Sequence, residues 1–127
     1  MMMMTVVRGG AGQPSARAED TFTGEVWRDV VMRPGGGVSV GNNFFAPGAR
    51  TYWHTHGAGQ LLIVIAGEGI VADADGQILV TVGDTIWTPP DVLHWHGASA
   101  ERYLLHTAVS LGGAEWHEPV SDAEYTQ

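Results

Sequence analysis

The chain has 127 residues, 44% of them apolar and 16% charged, the balance of one ordinary globular domain with a single core. Its net charge is −8 and its six basic residues are all arginines. This disfavours nucleic acid or an anionic membrane as partner, since both need basic patches. Without cysteine there can be no disulfide, thiolate nucleophile or iron–sulfur ligation, and without lysine no Schiff base. Catalysis must come from histidine, carboxylate, hydroxyl or a bound metal.

In chain order, residues 1–20 are small, polar and Gly-rich with no period, and read as a flexible arm preceding a domain at 21–127. Met1 to Met4 lacks a basic region followed by an apolar stretch, so no signal peptide is expected and a cytoplasmic location is. No apolar run approaches the ~20 residues of a membrane span. Strands are expected at Glu25–Val31, ended by the Arg33-Pro34-Gly35-Gly36-Gly37 turn, at Val38–Phe45, ended by Pro47-Gly48, and at Thr51–His56. After a Gly57-Ala58-Gly59 loop, Gln60 opens a strand to Ala66, and Gly67-Glu68-Gly69 reads as a turn into Ile70–Asp73. Asp75-Gly76 is a hairpin signal leading to Gln77–Val82, then Thr85–Thr88, His94–Ala98 and Arg102–Leu111. Ser121 or Asp122 is a good cap for a helical turn at Ala123–Tyr125. Short strands punctuated by Gly, Pro and Asp every eight to twelve residues indicate an all-β barrel or sandwich.

Five of the six histidines fall in three groups: His54-Thr55-His56, His94-Trp95-His96 and His106. Residues i and i+2 of a strand share a face, so His54 and His56 project together, as do His94 and His96. Any single group could be a polar face or a hydrogen-bonded core histidine. Together they converge imidazoles, the commonest protein ligands for mid-series divalent metals. Alternation also places Tyr52 with His54 and His56, pairs Asn43 with Phe45, and puts Ser110 on the face of His106, making these four the candidate pocket walls. Trp53 and Trp95 point the other way, to pack between sheets or at a subunit interface, as five tryptophans in so short a chain would allow.

The spacings Gly48-x5-His54-x-His56-x3-Gln60-x6-Gly67 and Gly83-x5-Pro89-x-Asp91-x2-His94 resemble the two motifs of the cupin superfamily, over roughly residues 41–110. This implies a double-stranded β-helix, a jelly-roll-like barrel. The family's usual glutamate ligand is Gln60 here, and the second motif's usual glycine and asparagine are Asp91 and Ala98. By the resemblance, His54, His56, Gln60 and His94 are the metal ligands. All are neutral, so the ion keeps its full charge and acts as a stronger Lewis acid. Manganese(II) or iron(II) suits the mixed nitrogen and oxygen set, with nickel(II), cobalt(II) or zinc(II) as alternatives. His96 and His106 remain as general base or as groups that orient the ligands. His117 is expected at the surface.

The stretches Phe22-Thr23-Gly24, Pro47-Gly48-Ala49-Arg50-Thr51, Trp53-His54-Thr55-His56, Gly59-Gln60, His94-Trp95-His96-Gly97-Ala98 and the tail from Trp116 to Tyr125 are similar to one group in particular. These are the small single-domain cupins related to manganese-dependent hydroxynitrile lyases, also described as carboxymuconolactone-decarboxylase-like cupins. The likeness implies a homodimer or homotetramer, Gln60 as a regular ligand, and a catalytic His106 near the metal. The activity it implies is a lyase acting on a small molecule, cleaving a carbon–carbon bond next to a hydroxyl held at the metal, as in cyanohydrin breakdown to aldehyde and cyanide. Two other readings stay open at this point: a non-haem iron dioxygenase or decarboxylase, and a non-catalytic small-molecule-binding cupin.

Overall fold

A computed structural model describes residues 2–126. It holds twelve strands and one short helix: β1 (Ala16–Ala18), β2 (Phe22–Thr23), β3 (Val26–Gly35), β4 (Val38–Phe45), β5 (Arg50–Thr51), β6 (His54–His56), β7 (Gly59–Asp73), β8 (Gly76–Thr81), β9 (Thr85–Thr88), β10 (Trp95–Ala98), β11 (Leu104–Leu111), β12 (Ala114–Trp116) and α1 (Asp122–Tyr125). A 3-10 turn spans Gly9–Gly12. No helix among the described residues is long and apolar enough to cross a membrane.

The strands run in the order β1-β3-β4-β11-β7-β10-β5-β2, with every pairing antiparallel, while β6 pairs with β12 apart from them. The 15-residue β7 joins the two halves of the barrel. Its first part pairs with β11 and β9, its second with β10 and β8. The sequence reads Gly67-Glu68-Gly69 as a turn, but the chain runs through it as strand. The register slips opposite Leu105/His106, and Gly67 takes φ +83°. A Cβ there would meet the Tyr103 carbonyl at 1.9 Å, so glycine is what lets β7 bend from one sheet into the other. The expected strand Thr51–His56 is also corrected. It breaks at Tyr52-Trp53 into β5 and β6, which enter different sheets. Strand β3 runs on through Arg33 and Pro34 to Gly35, past the expected turn. Within the Gly-rich opening segment, Ala16–Ala18 pairs with the edge of β3.

Alternation sorts the side chains as expected. On β11, Leu104, His106 and Ala108 are buried while Leu105, Thr107 and Val109 are half-buried outside. One core cluster fills the barrel with Phe22, Val26, Phe45, Val64, Val80 and Leu104 among its members. A second lies behind β10, where Trp95, Ala72, Val120 and Tyr125 pack together with Trp53 against them. Within the chain, Trp95 is thus buried beneath the C-terminal tail and Trp53 packs beside it, half-buried.

That tail is fastened by Arg50. Its guanidinium donates to the Gly48 and Val120 carbonyls and to Asp122, and lies 4.4 Å from the Tyr125 ring centre. Ser121 caps α1 with a full capping box. The Tyr125 hydroxyl donates to the Ala98 carbonyl at 2.6 Å. Tyr125→Phe removes that buried bond and should lower stability in urea by about 1–2 kcal/mol. Tyr125→Ala also empties the ring's place and should cost about 3–5 kcal/mol. Equal losses in the two variants would show that the hydroxyl, not the ring, anchors the tail.

Candidate metal centre

His54 and His94 face each other across an antiparallel bridge, exchanging both backbone bonds at 2.9 and 3.0 Å. Directly opposed residues share a face, so the two rings meet, their centres 4.2 Å apart. His56 joins them from the same face of β6, its ring centre 5.0 Å from that of His54 and 5.6 Å from that of His94. One ring nitrogen from each of the three comes within 4.8 Å of the others, a spacing that can hold a metal ion. Asp91 closes the loop before His94 with φ +61°, a left-handed conformation, and donates its N–H to the His56 carbonyl at 3.0 Å. That conformation accounts for a glycine as the usual residue there, and aspartate is among the few side chains that tolerate it.

The tautomers are set from outside the cluster. His54 Nδ1 donates to the Tyr52 carbonyl at 2.8 Å, and His94 Nδ1 donates to the Val92 carbonyl at 2.9 Å. Each Nε2 is then a bare lone pair turned inward. Gln60 enters from the start of β7. Its register partner Ser110 accepts from Nε2 at 3.0 Å, which turns the amide oxygen to within 3.1 Å of His94 Nε2. Two acceptors at that distance with no proton between them are what a shared cation stabilises. Both ring nitrogens of buried His56 lack a partner among the described residues. The donor set therefore fits a divalent ion on this chain's own geometry, without reference to any relative.

Burial drives all these rings towards the neutral form that ligation requires. Desolvation is the largest cause at each, and neighbouring imidazoles add to it at His54 and His56. His54 is lowered to about 2, His56 to about 4, and His94 is also lowered despite its backbone hydrogen bonds.

His96 and His106 form a second, connected layer. His106 Nε2 and His96 Nδ1 share a hydrogen bond at 3.0 Å. His96 is the one beside the ligands, its ring 5.3 Å from His54 and 5.8 Å from His94. His106 stands behind it against Phe45, at 5.1 Å. Both are buried and shifted down chiefly by desolvation, His106 to about 4. His96 Nε2 and His106 Nδ1 have no partner among the described residues.

Of the expected pocket walls, Asn43 lies opposite His106 in register and accepts from Arg28 Nε at 3.3 Å. Phe45 packs on the histidine pair, and Ser110 acts through Gln60. Tyr52 precedes β6 rather than lying on it, and enters through its carbonyl. Sequence reasoning missed Trp116, whose ring lies 4.5 Å from His54 and 5.9 Å from Phe22. Strand β12 brings it there by pairing Trp116 with His54 and Ala114 with His56. A short exposed strand after Gly112-Gly113 leaves no pattern to find. His117 is exposed, as expected. Strands β8 and β9 each pair with β7. A cavity of about 180 Å³ is lined by Ile78 of β8, Ile86 of β9, Leu62, Val71, Val92 and His94 among others.

The model of the cupin domain matches residues 44–106. An (R)-mandelonitrile lyase from Granulicella tundricola is 37% identical over 96% of this chain and 98% of its own length. Among solved structures, a cupin-like protein from Thermotoga maritima superposes with a TM-score of 0.84 at 34% identity, over 89% of this chain and 92% of that one. A predicted oxalate decarboxylase from the same organism gives 0.75 at 20% identity, over 86% and 100%, a likeness of fold.

Two outcomes follow from this geometry. His54→Ala should abolish stoichiometric metal, read by elemental analysis of purified protein; full occupancy would refute the centre. The second concerns metal-free protein, in which these rings titrate below the ~6.5 of an unfolded histidine. As pH falls below ~6.5, the unfolded chain binds protons that the folded chain refuses, so stability falls with pH. For the fully buried His106, lowered to about 4, the loss is about 2 kcal/mol by pH 5, and His96 adds to it in the same direction. Urea midpoints should drop steadily from pH 7 to 5, and a level profile would contradict the neutral buried cluster.

Proposed function

We propose, starting from the fact that this chain belongs to the cupin family, that it is a metal-dependent lyase cleaving the carbon–carbon bond beside a hydroxyl group, with a cyanohydrin as substrate. The observation that carries the reading is the convergence of proton-free acceptors, His54 Nε2, His94 Nε2 and Gln60 Oε1, with unpartnered His56 beside them. His54, His56, His94 and Gln60 would hold the ion, and manganese(II) or iron(II) suits three imidazoles and an amide oxygen. When bound, a divalent ion supplies uncompensated positive charge beside the substrate oxygen, since no ligand is anionic.

The chain's own residues handle the proton. The hydroxyl proton passes to an imidazole of the His96–His106 pair. As the carbonyl forms, the electron pair of the carbon–carbon bond leaves with cyanide. The same imidazolium returns the proton, giving hydrogen cyanide and an aldehyde. The pair suits this because its rings are neutral and linked, so a proton gained at one can be balanced by a shift across the shared bond. The 37% identical mandelonitrile lyase supports the same class.

Metal-replete protein should release cyanide from mandelonitrile equally with and without oxygen, and chelation should stop it. Strict oxygen dependence would favour an oxygenase, and tight ligand binding without turnover a binding protein. His106→Ala should keep its metal and fold while losing turnover by a factor on the order of 10² to 10⁴, the usual contribution of a positioned acid or base. Should that variant lose its metal while His94→Ala retains it, His106 is a ligand and the assignment of roles is wrong.

A further inference from the structure

Strand β3 carries a cation onto the inner face of the barrel without a counter-charge. Val26 is wholly buried in the core with Phe45, and alternation puts Arg28 on the same face of the strand. Register carries that face across the sheet: Arg28 lies opposite Asn43, and Asn43 opposite His106. The next row on this face holds Gly41 and Ala108, whose small side chains leave the space beside Asn43 and His106 unfilled. Arg28 Nε donates to Asn43 Oδ1 at 3.3 Å, and the guanidinium carbon lies 5.6 Å from the Phe22 ring centre. Phe22 in turn touches Trp116, whose ring lies against His54. The guanidinium is thus set among the rings that surround the histidine cluster, on a residue that stays exposed.

We infer that Arg28 and Asn43 form a carboxylate-binding subsite, and that the substrate is a short hydroxy compound carrying a carboxylate a few bonds from its reacting hydroxyl. The choice of reacting group rests on the lyase reading above; the anion subsite rests on Arg28 and its surroundings. A guanidinium offers five N–H donors in a planar fork that matches the two oxygens of a carboxylate. Among the described residues only Nε is engaged, so both terminal nitrogens are open to a ligand. Asn43 accepts through its oxygen, which leaves its amide N–H groups as two further donors beside the fork. No carboxylate of the chain takes this place, since the one ion pair among the described residues joins Arg50 to Asp122. Asp29 follows Arg28 in sequence, but alternation turns it to the opposite face, where it accepts from the Ser15 hydroxyl. Glu25 accepts from Trp27 Nε1 at 2.8 Å.

The charge that does act on Arg28 is a second cation. Partial desolvation, and after it the charge of Arg33, lower the Arg28 pKa from its ordinary value. In a chain of net charge −8 these two arginines reverse the sign locally, and an incoming anion relieves the strain of holding them together. Size follows from register. Arg28 and His106 stand two strands apart, about 10 Å at the backbone, and the arginine side chain shortens that gap. A ligand that touches both the guanidinium and the His96–His106 pair therefore needs to be only a few bonds long. A neutral amide of the same shape offers the fork one oxygen and no charge, so the subsite selects the acid.

Calorimetric titration of metal-replete protein with propionate and with propionamide tests the subsite apart from turnover. Propionate should bind at least 10-fold more tightly, a margin that charge-assisted hydrogen bonds supply. Arg28→Gln, at an exposed position and therefore mild for the fold, should remove that preference, and Arg28→Lys should restore part of it. Circular dichroism establishes that both variants are folded. The preference should also survive chelation of the metal, because Arg28 carries it. Equal binding of the two probes by the wild type overturns the subsite. So does a preference that is lost on chelation and kept in Arg28→Gln, which would place the carboxylate on the metal. Turnover joins the subsite to the reaction. The ratio of kcat/KM for the cyanohydrin of succinic semialdehyde, which bears a carboxylate, to that for mandelonitrile, which bears none, should fall at least 10-fold in Arg28→Gln. An unchanged ratio overturns the carboxylate-bearing substrate while the lyase reading stands. No cyanide from either compound, with the propionate preference intact, overturns the lyase reading and keeps the subsite.

Discussion

Five imidazoles buried together are the constraint around which this molecule is arranged. Each is a polar group out of water, and each must stay uncharged or face the full cost of desolvating a cation. The fold meets this by giving His54 and His94 a backbone carbonyl on the outer nitrogen, and by linking His96 to His106. What is left is a set of inward lone pairs that no N–H answers. An apolar core of the same volume would be simpler to stabilise, so the cluster makes sense as a structure completed by a cation.

The surrounding strands hold that geometry indirectly. Strand β6, which carries His54 and His56, is three residues long and pairs with β12 at the tail. The tail is fixed in turn by Arg50, which is buried, while its carboxylate partner Asp122 has a side chain 98% exposed. A carboxylate so open to water contributes little on its own. The carbonyls of Gly48 and Val120 and the Tyr125 ring therefore do most of the work of keeping this guanidinium in place. A line of support thus runs from a core arginine through the C-terminal turn to Trp116 and onto the ring of His54.

Where side-chain period carried the information, the sequence was legible. His54 and His56 on one face, the strands Val38–Phe45 and Thr85–Thr88, and the cap at Ser121 all follow from local rules and stand in the structure as read. The failures share a different cause. Gly67-Glu68-Gly69 has the composition of a turn, yet its glycine serves a bend between sheets that only the approach of Tyr103 explains. Tyr52 falls off the histidine face because β5 and β6 diverge, a consequence of long-range pairing. The orientation of Gln60 depends on its register with Ser110, 50 residues away. Local pattern names candidate ligands; which way each one points is decided across strands.

The candidate ligands are unequally distributed along the chain, and this bears on the order of events as the protein forms. His54 and His56 are near neighbours, and Gln60 follows soon after, so an unfolded chain can already touch an ion weakly with one short segment. His94 lies 34 residues beyond Gln60, and reaches it only after β7, β8 and β9 have paired. Tight coordination is thereby tied to completed topology, with loop closure preceding the last bond. An ion captured early would be exchanged freely, whereas one held in the finished barrel would leave only when the β6–β12 pair or the His54–His94 bridge opens. Retention of an ion at such a site would in that sense be a kinetic property of two short strand contacts as much as an affinity of the side chains around it.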